Sequence, residues 1–174
     1  MRRGLLLLVA AAAVSLVACK DAPIVVHPYD KAPVPAVPDR TQPVTDATPL
    51  PDGQYWAPEV TVDADGVRLH FTLAQAFFGP GCADALGADQ CDGDAGVLAE
   101  PSLDLVVAPE GRAPISVVDA EQRNYAVPAD ELVNLIAGKA PSVDAPADFA
   151  YTPFPYLLTA LNGEVVSIQQ IWMP

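Results

Sequence analysis

The stretch from Pro155 to Trp172, PYLLTALNGEVVSIQQIW, carries the strongest folding signal in the chain. Two apolar runs flank Asn162-Gly163, and Asn-Gly is the preferred sequence of a two-residue type I′ turn because both of its positions take positive φ. The stretch therefore predicts a β-hairpin with strands over 155–161 and 164–172. A two-residue turn without irregularities places Leu157 opposite Ile168.

Shorter alternating runs upstream predict further strands. Apolar residues recur at every second position on both sides of Asp63–Gly66 and on both sides of Pro109–Gly111. Such alternation is typical of half-buried strands, and a Gly-containing turn between two runs predicts a hairpin. The alternating positions are Val60, Val62, Val67, Leu69, Phe71 and Leu73 in the first hairpin, and Leu103, Leu105, Val107, Ile115 and Val117 in the second.

One short helix interrupts this β pattern. The segment 128–139, PADELVNLIAGK, has Pro128 at its start, acidic residues in its first turn and Gly138 where a C-terminal cap belongs. Strands joined by tight turns favour antiparallel pairing. We therefore expect residues 54–174 to form a small, mainly β domain, an antiparallel two-layer sandwich with one short helix, or alternatively an α+β roll.

The amino terminus has the features of an export signal. Arg2 and Arg3 precede Leu5–Val17, an apolar run of 13 residues whose only polar member is Ser15. A bilayer span takes about 20 residues, whereas the apolar region of a secretory signal peptide takes about 7–15. The last two residues of this run and the two that follow it, Leu16-Val17-Ala18-Cys19, resemble the lipobox of bacterial lipoprotein precursors.

This resemblance implies that residues 1–18 are a lipoprotein signal peptide and that Cys19 becomes the acylated first residue of the mature chain. The protein would then be lipid-anchored at the cell membrane or the outer envelope, outside the cytoplasm. An ordinary secretory leader with a chance cysteine is the alternative. Tyr151–Thr159, Asn162-Gly163 and Ile171–Pro174 are similar to the ends of uncharacterised secreted lipoproteins from actinobacteria, and this second resemblance implies no activity.

Residues 19–53 contain eight prolines and no apolar periodicity. Proline fixes φ and keeps the preceding residue extended, so the segment predicts a Pro-rich, disordered tether between the lipid anchor and the domain. At about 3.1 Å per residue, such a tether could extend roughly 100 Å from the bilayer. A PxxP-type ligand for a partner's groove is the alternative interpretation.

The charge of the chain excludes some partners. The net charge is −13, and it becomes −15 once Arg2 and Arg3 leave with the signal peptide. An acidic chain repels phosphate backbones and anionic lipid headgroups, so we expect no nucleic acid partner and no membrane contact except the lipid anchor. The sequence leaves the oligomeric state open.

The loop 81–96, GCADALGADQCDGDAG, combines two cysteines with several acids. With Cys19 acylated, an even number remains, and an exported chain favours a disulfide between Cys82 and Cys91. Asp89, Asp92 and Asp94 are candidate calcium ligands, because calcium takes carboxylate oxygens, although the complete EF-hand pattern is absent. We therefore expect a solvated acidic loop and no cofactor, and a calcium site is the alternative.

No catalytic motif stands out in the sequence. His70 is the sole histidine of the region 54–174, and its predicted position is on the strand face opposite Leu69 and Phe71. A nucleophile elbow, a zinc-ligand set and a phosphate-binding loop are all missing from the sequence. We therefore expect a non-catalytic interaction module that binds an envelope protein. The alternatives are a small-ligand or calcium-binding lipoprotein and a hydrolase with an unrecognised pair of carboxylates.

Overall fold

The computed structural model describes residues 27–93, 95–108 and 113–173, and within them the fold is mainly β, as predicted. The strands are β1 (Asp30–Lys31), β2 (Gly53–Val62), β3 (Leu69–Phe78), β4 (Ala95–Val107), β5 (Ile115–Val118), β6 (Asn124–Ala126), β7 (Tyr156–Leu161) and β8 (Glu164–Gln170). The α-helices are α1 (Gly81–Leu86) and α2 (Ala129–Ile136), and a 3₁₀ turn covers Ala88–Gln90. The predicted helix is therefore confirmed as α2.

The eight strands form one sheet in the order β1-β6-β5-β8-β7-β2-β3-β4. All neighbours pair antiparallel except β5 and β8, which pair parallel. The hairpin predicted across Pro109–Gly111 is wrong, because β4 pairs with β3 and β5 pairs with β6 and β8. All four residues of β5 are buried, so this strand is stable only inside the sheet, where both of its faces are covered.

The sheet curls so that a single sheet encloses a sandwich-like core. Leu105 and Val107 of β4 pack against the same apolar cluster as Val165 of β8, although β4 and β8 lie four positions apart in the sheet. Leu132 and Leu135 of α2 belong to this cluster and are buried. Alternate apolar residues on the strands therefore face one shared core, as the period-two patterns predict.

The hairpin of β7 and β8 confirms the predicted turn but corrects the predicted register. Asn162 and Gly163 take φ values of 53° and 81°, as a type I′ turn requires. Beyond the first two pairs, Val166 is an extra residue on β8, and the bulge shifts the pairing by one. Ile168 consequently lies opposite Leu158. Leu157, its predicted partner, faces a smaller apolar cluster instead of the main core.

The disordered tether predicted for residues 19–53 is wrong for its described part, residues 27–53. Tyr29 is buried between Tyr125 and Phe149, with ring centroids 6.1 and 4.9 Å away, and the strand β1 pairs with β6. Val44 and Leu50 also belong to the main core. Residues 19–26 lie outside the described residues. The folded domain thus includes residues 27–53 and does not begin at residue 54.

The Pro-rich segment also fills a gap in the sheet. On the N-terminal side of Trp56, β2 pairs with β7 but no longer with β3, and β3 pairs with β4. The strands β2 and β3 therefore separate at this end. Arg40 bridges to Phe77, and the Thr41 hydroxyl accepts a 2.9 Å hydrogen bond from the backbone N–H of Ala76. On the other side, the N–H of Gln42 donates to the carbonyl of Gln54 over 2.7 Å. Prolines are compatible with this position because only some of the segment's N–H groups are used.

Candidate functional site

The predicted disulfide is confirmed between Cys82 in α1 and Cys91 after the 3₁₀ turn. The S–S distance is 2.07 Å and the two Cα atoms lie 6.1 Å apart. Cys82 is buried, and a Cβ atom placed on Gly96 would lie 2.8 Å from its Sγ atom, so the bonded loop sits closely on the start of β4. The lipidation site predicted at Cys19 lies outside the described residues.

Removal of this disulfide should destabilise the domain by about 2.5–3 kcal/mol in the chain-entropy account, because the unfolded chain regains the freedom of a ten-residue loop. The change to make is the double variant Cys82→Ser, Cys91→Ser, measured by urea unfolding. The matched comparison is the unmutated chain, measured with its disulfide intact and again after reduction. A free energy of unfolding within about 0.5 kcal/mol of the parent would contradict a stapling role.

The three candidate calcium ligands are not brought together by any described contact. Asp89 in the 3₁₀ turn and Asp92 are both exposed, and Asp94 lies outside the described residues. Within residues 27–93, 95–108 and 113–173, no group of three or more His, Cys, Asp or Glu side chains is placed to hold a metal ion. Calcium binding stays an untested alternative, and a calcium-dependent rise of the melting temperature that a chelator reverses would support it.

His70 occupies the position predicted for it. It lies half-buried on β3, opposite Val106 of β4, while Leu69 and Phe71 on either side are fully buried on the core face. Its neighbours on the outer face of the sheet are strand residues. This placement is that of an ordinary strand residue on a solvated sheet face.

Two buried carboxylates were not singled out from the sequence, and the first is Asp119 in the turn between β5 and β6. Its side chain accepts hydrogen bonds from the N–H groups of Glu121 and Arg123, and from Nε of Arg123 over 2.6 Å. Arg123 also donates to Asp148 over 2.7 Å, which raises the pKa of the guanidinium and lowers the pKa of the Asp148 carboxyl. The arginine therefore clamps the loop that carries Phe149 onto this turn.

The second buried carboxylate is Glu131 on α2. Its Oε1 accepts hydrogen bonds from the hydroxyl of Tyr29 and from the N–H of Ser142 at 2.9 Å. It thereby connects the N-terminal segment, the helix and the loop after the helix. Glu131 and Asp119 are each satisfied by donors of their own chain, so both buried carboxylates stabilise the fold.

All five tyrosines have a pKa above the ordinary value of 10.0, with burial as the largest cause in each case; they are Tyr29, Tyr55, Tyr125, Tyr151 and Tyr156. The fold favours the neutral phenol, so its contribution to stability is complete below the unfolded pKa and is lost as the pH rises through the folded values.

Stability should therefore fall steadily above about pH 10. Tyrosinate absorbance should appear at higher pH in the folded chain than in the chain unfolded by urea. The measurement is a spectrophotometric titration of both states. Coincident titration curves would contradict the burial of these phenols.

An open cleft of about 540 Å³ separates β4 from the first half of β8. One wall is Leu105–Ala108, the other is Gly163–Val166 with Ile168, and Ala113 also lines the opening. Among the described residues, β4 pairs only with β3, and β8 pairs with β5 only at Ile168 and Gln169. Two strand edges without a described neighbour therefore face the same opening.

The chemistry of the cleft suits an extended polypeptide. Val106 on one wall is 47% exposed, and Glu164 on the other wall is exposed, so apolar and acidic groups both reach the opening. Strand edges offer N–H and C=O groups in alternation, and an added strand pairs with them. A bulge at residues 99–102 interrupts β4. Regular pairing along β4 is therefore confined to Leu103–Val107, which includes the cleft wall, and to Ala95–Leu98.

The cleft was not predicted, because it depends on the curling of the whole sheet.

No protein-family profile, curated protein or solved structure matches this chain. Among the helices of the described residues, none has the length and apolar character needed to cross a membrane.

Proposed function

We propose that this protein is an exported lipoprotein, anchored to a membrane of the cell envelope through acylated Cys19, whose β domain is a non-catalytic interaction module. The observation that carries the proposal is the Cys82–Cys91 disulfide. Structural disulfides persist outside the cytoplasm, and this one consumes both cysteines of the folded domain. Of the three cysteines in the chain, Cys19 then remains for acylation, directly after a leader-like apolar run.

The anchor is tested by feeding an alkyne analogue of palmitate to a bacterium that produces the full chain. The native chain should take up the label and fractionate with membranes, and the amino-terminal peptide should begin at an acylated Cys19. The Cys19→Ala chain should lose both properties, whereas Ser15→Ala, which leaves the cysteine in place, should keep them. Label that persists in Cys19→Ala, or a mature terminus elsewhere, would contradict the proposal.

Within this proposal, the β4–β8 cleft is the binding surface, and its occupant is an extended segment of an envelope protein. The support is the pair of strand edges that face one opening, since backbone pairing along an edge provides affinity without a deep pocket. The net charge of −13 favours a segment that carries Lys or Arg beside its apolar residues.

Site-specific photocrosslinking on intact cells tests this surface. A photoreactive residue at Val106 should capture a discrete partner, whereas one at Val97 should not. The two positions are matched, because both lie on β4 and are 47% and 42% exposed, but only Val106 lines the cleft. Equal capture at both positions, or capture at Val97 alone, would place the interaction elsewhere.

A small apolar ligand is the second candidate occupant. The volume of 540 Å³ lies within the range of about 300–1,000 Å³ that is usual for small-molecule sites. Such a ligand, extracted with the protein and identified by mass spectrometry, should be lost from a Val166→Glu chain that remains folded. Retention in that chain would exclude the cleft as its site.

A further inference from the structure

We infer that Tyr29 of the anchored domain is held within about 36 Å of the bilayer and that the partner is the membrane-adjacent, extracytoplasmic part of an integral membrane protein. This inference rests on the proposed acylation of Cys19. It comes from the point at which the chain joins the fold, because that point sets the length of chain between the anchor and the domain.

The fold holds Tyr29 firmly. Its N–H donates to the carbonyl of Ala126 over 2.8 Å, its ring packs edge-on against Tyr125 and Phe149, and its hydroxyl donates to buried Glu131. Removal of this side chain from the core would expose two aromatic faces and leave a buried carboxylate without one of its donors. Release of Tyr29 would lengthen the free chain between Cys19 and the domain, but only at the loss of these contacts.

Tyr29 follows Cys19 by ten positions in the chain. A chain spans at most about 3.6 Å per residue, so ten residues reach about 36 Å, whatever path they take. A free tether over the whole Pro-rich region would have reached roughly 100 Å. The ordered packing of residues 27–53 therefore converts a long reach into a short one.

Charge explains why the partner is a protein and not the lipid surface itself. The exported chain has a net charge of −15, since Arg2 and Arg3 leave with the leader, and an acidic domain is repelled by anionic headgroups. Salt screens this repulsion beyond about 8 Å, so the domain stays close to the bilayer without adhering to it. A partner must then approach within the same narrow layer, as the outer loops of an integral membrane protein do.

The experiment lengthens the chain between Cys19 and Tyr29 and leaves the domain unchanged. About 30 Gly and Ser residues inserted after Val26 would add up to roughly 100 Å of reach. The same segment appended after Pro174 is the matched control, because it adds equal mass and does not change the chain between Cys19 and Tyr29. Acylation of each chain is verified by mass spectrometry before any distance is measured.

Energy transfer from a dye at Val34 to a headgroup dye in proteoliposomes reports the distance, since Val34 is 78% exposed and lies five positions after Tyr29. Transfer should be strong in the native chain and the control and should fall at least twofold in the lengthened chain. In cells, crosslinking from Val106 to a membrane protein should fall in parallel. An acylated native chain with weak transfer, or a partner captured equally by the lengthened chain, would overturn the inference. A chain without acyl groups would instead overturn the proposed function.

Discussion

A chain that starts at Gln54 should fail to reach the native fold, whereas a chain that starts at His27 should unfold as cooperatively as one that starts at Cys19. The shorter chain lacks Tyr29, whose loss from the core alone should cost about 3–5 kcal/mol. It also lacks the hydroxyl of Thr41, which satisfies the buried N–H of Ala76. These losses together approach the total stability of a small domain, about 5–15 kcal/mol.

The two chains are compared by far-ultraviolet circular dichroism and urea unfolding. Two point variants of the longer chain separate packing from hydrogen bonding. Tyr29→Phe removes only the hydroxyl that donates to Glu131 and should destabilise by about 1–2 kcal/mol, whereas Tyr29→Ala should cost about 3–5 kcal/mol. A cooperative transition of the 54–174 chain, within about 1 kcal/mol of the longer chain, would show that the Pro-rich segment is only a tether.

The parts of the fold that were predictable depend on local chemistry. Asn162-Gly163 specifies its turn because two neighbouring residues must both take positive φ, and Gly138 ends α2 for a similar local reason. The bulge at Val166 has no comparable signal, and a one-residue shift was enough to send Leu157 to the other face of the sheet. Register over a whole strand therefore needs more information than its turn provides.

The N-terminal segment was misjudged because its contacts are distant in sequence. Proline content predicts extended backbone, and the backbone around Arg40–Gln42 is indeed strand-like, but composition cannot indicate that β2 and β3 separate to receive it. Tyr29 and Thr41 were the available signals, one large aromatic and one hydroxyl among prolines. Each of them meets a partner far along the chain, Glu131 and Ala76 respectively.

The candidate site divides in the same way. The Cys82–Cys91 bond was predictable by counting cysteines once export was expected, because a ten-residue loop closes easily. The β4–β8 cleft was not, because its walls come from strands that meet only after the sheet curls. The erroneous hairpin between β4 and β5 would have closed that opening, so the topology correction and the cleft are one finding.

The buried amide of Gln170 is the most consequential polar side chain that the sequence did not identify, since a glutamine in the last strand reads as a solvent-facing residue. It is fully buried, and its Oε1 accepts a 3.0 Å hydrogen bond from the N–H of Val118. Its Nε2 donates to the carbonyls of Thr152 and Phe154 over 2.7 and 3.2 Å. One amide therefore joins the end of β5 to the segment that precedes β7, beside the parallel pairing of β5 and β8.

Gln170→Leu should therefore destabilise the domain by about 2–4 kcal/mol, although leucine is apolar and of similar size, because the buried N–H of Val118 and the carbonyl of Phe154 lose their partner. The carbonyl of Thr152 keeps a hydrogen bond from the N–H of Phe154. The neighbouring Gln169→Leu is the matched control, since Gln169 is half-buried, and its effect should stay below about 1 kcal/mol. Urea unfolding of both variants measures the difference, and hydrogen exchange at the Val118 amide reports the lost bond directly. If Gln170→Leu were as stable as its control, water or a shifted backbone would have to satisfy those groups. The parallel pairing of β5 with β8 would then depend on the buried apolar faces of the two strands alone.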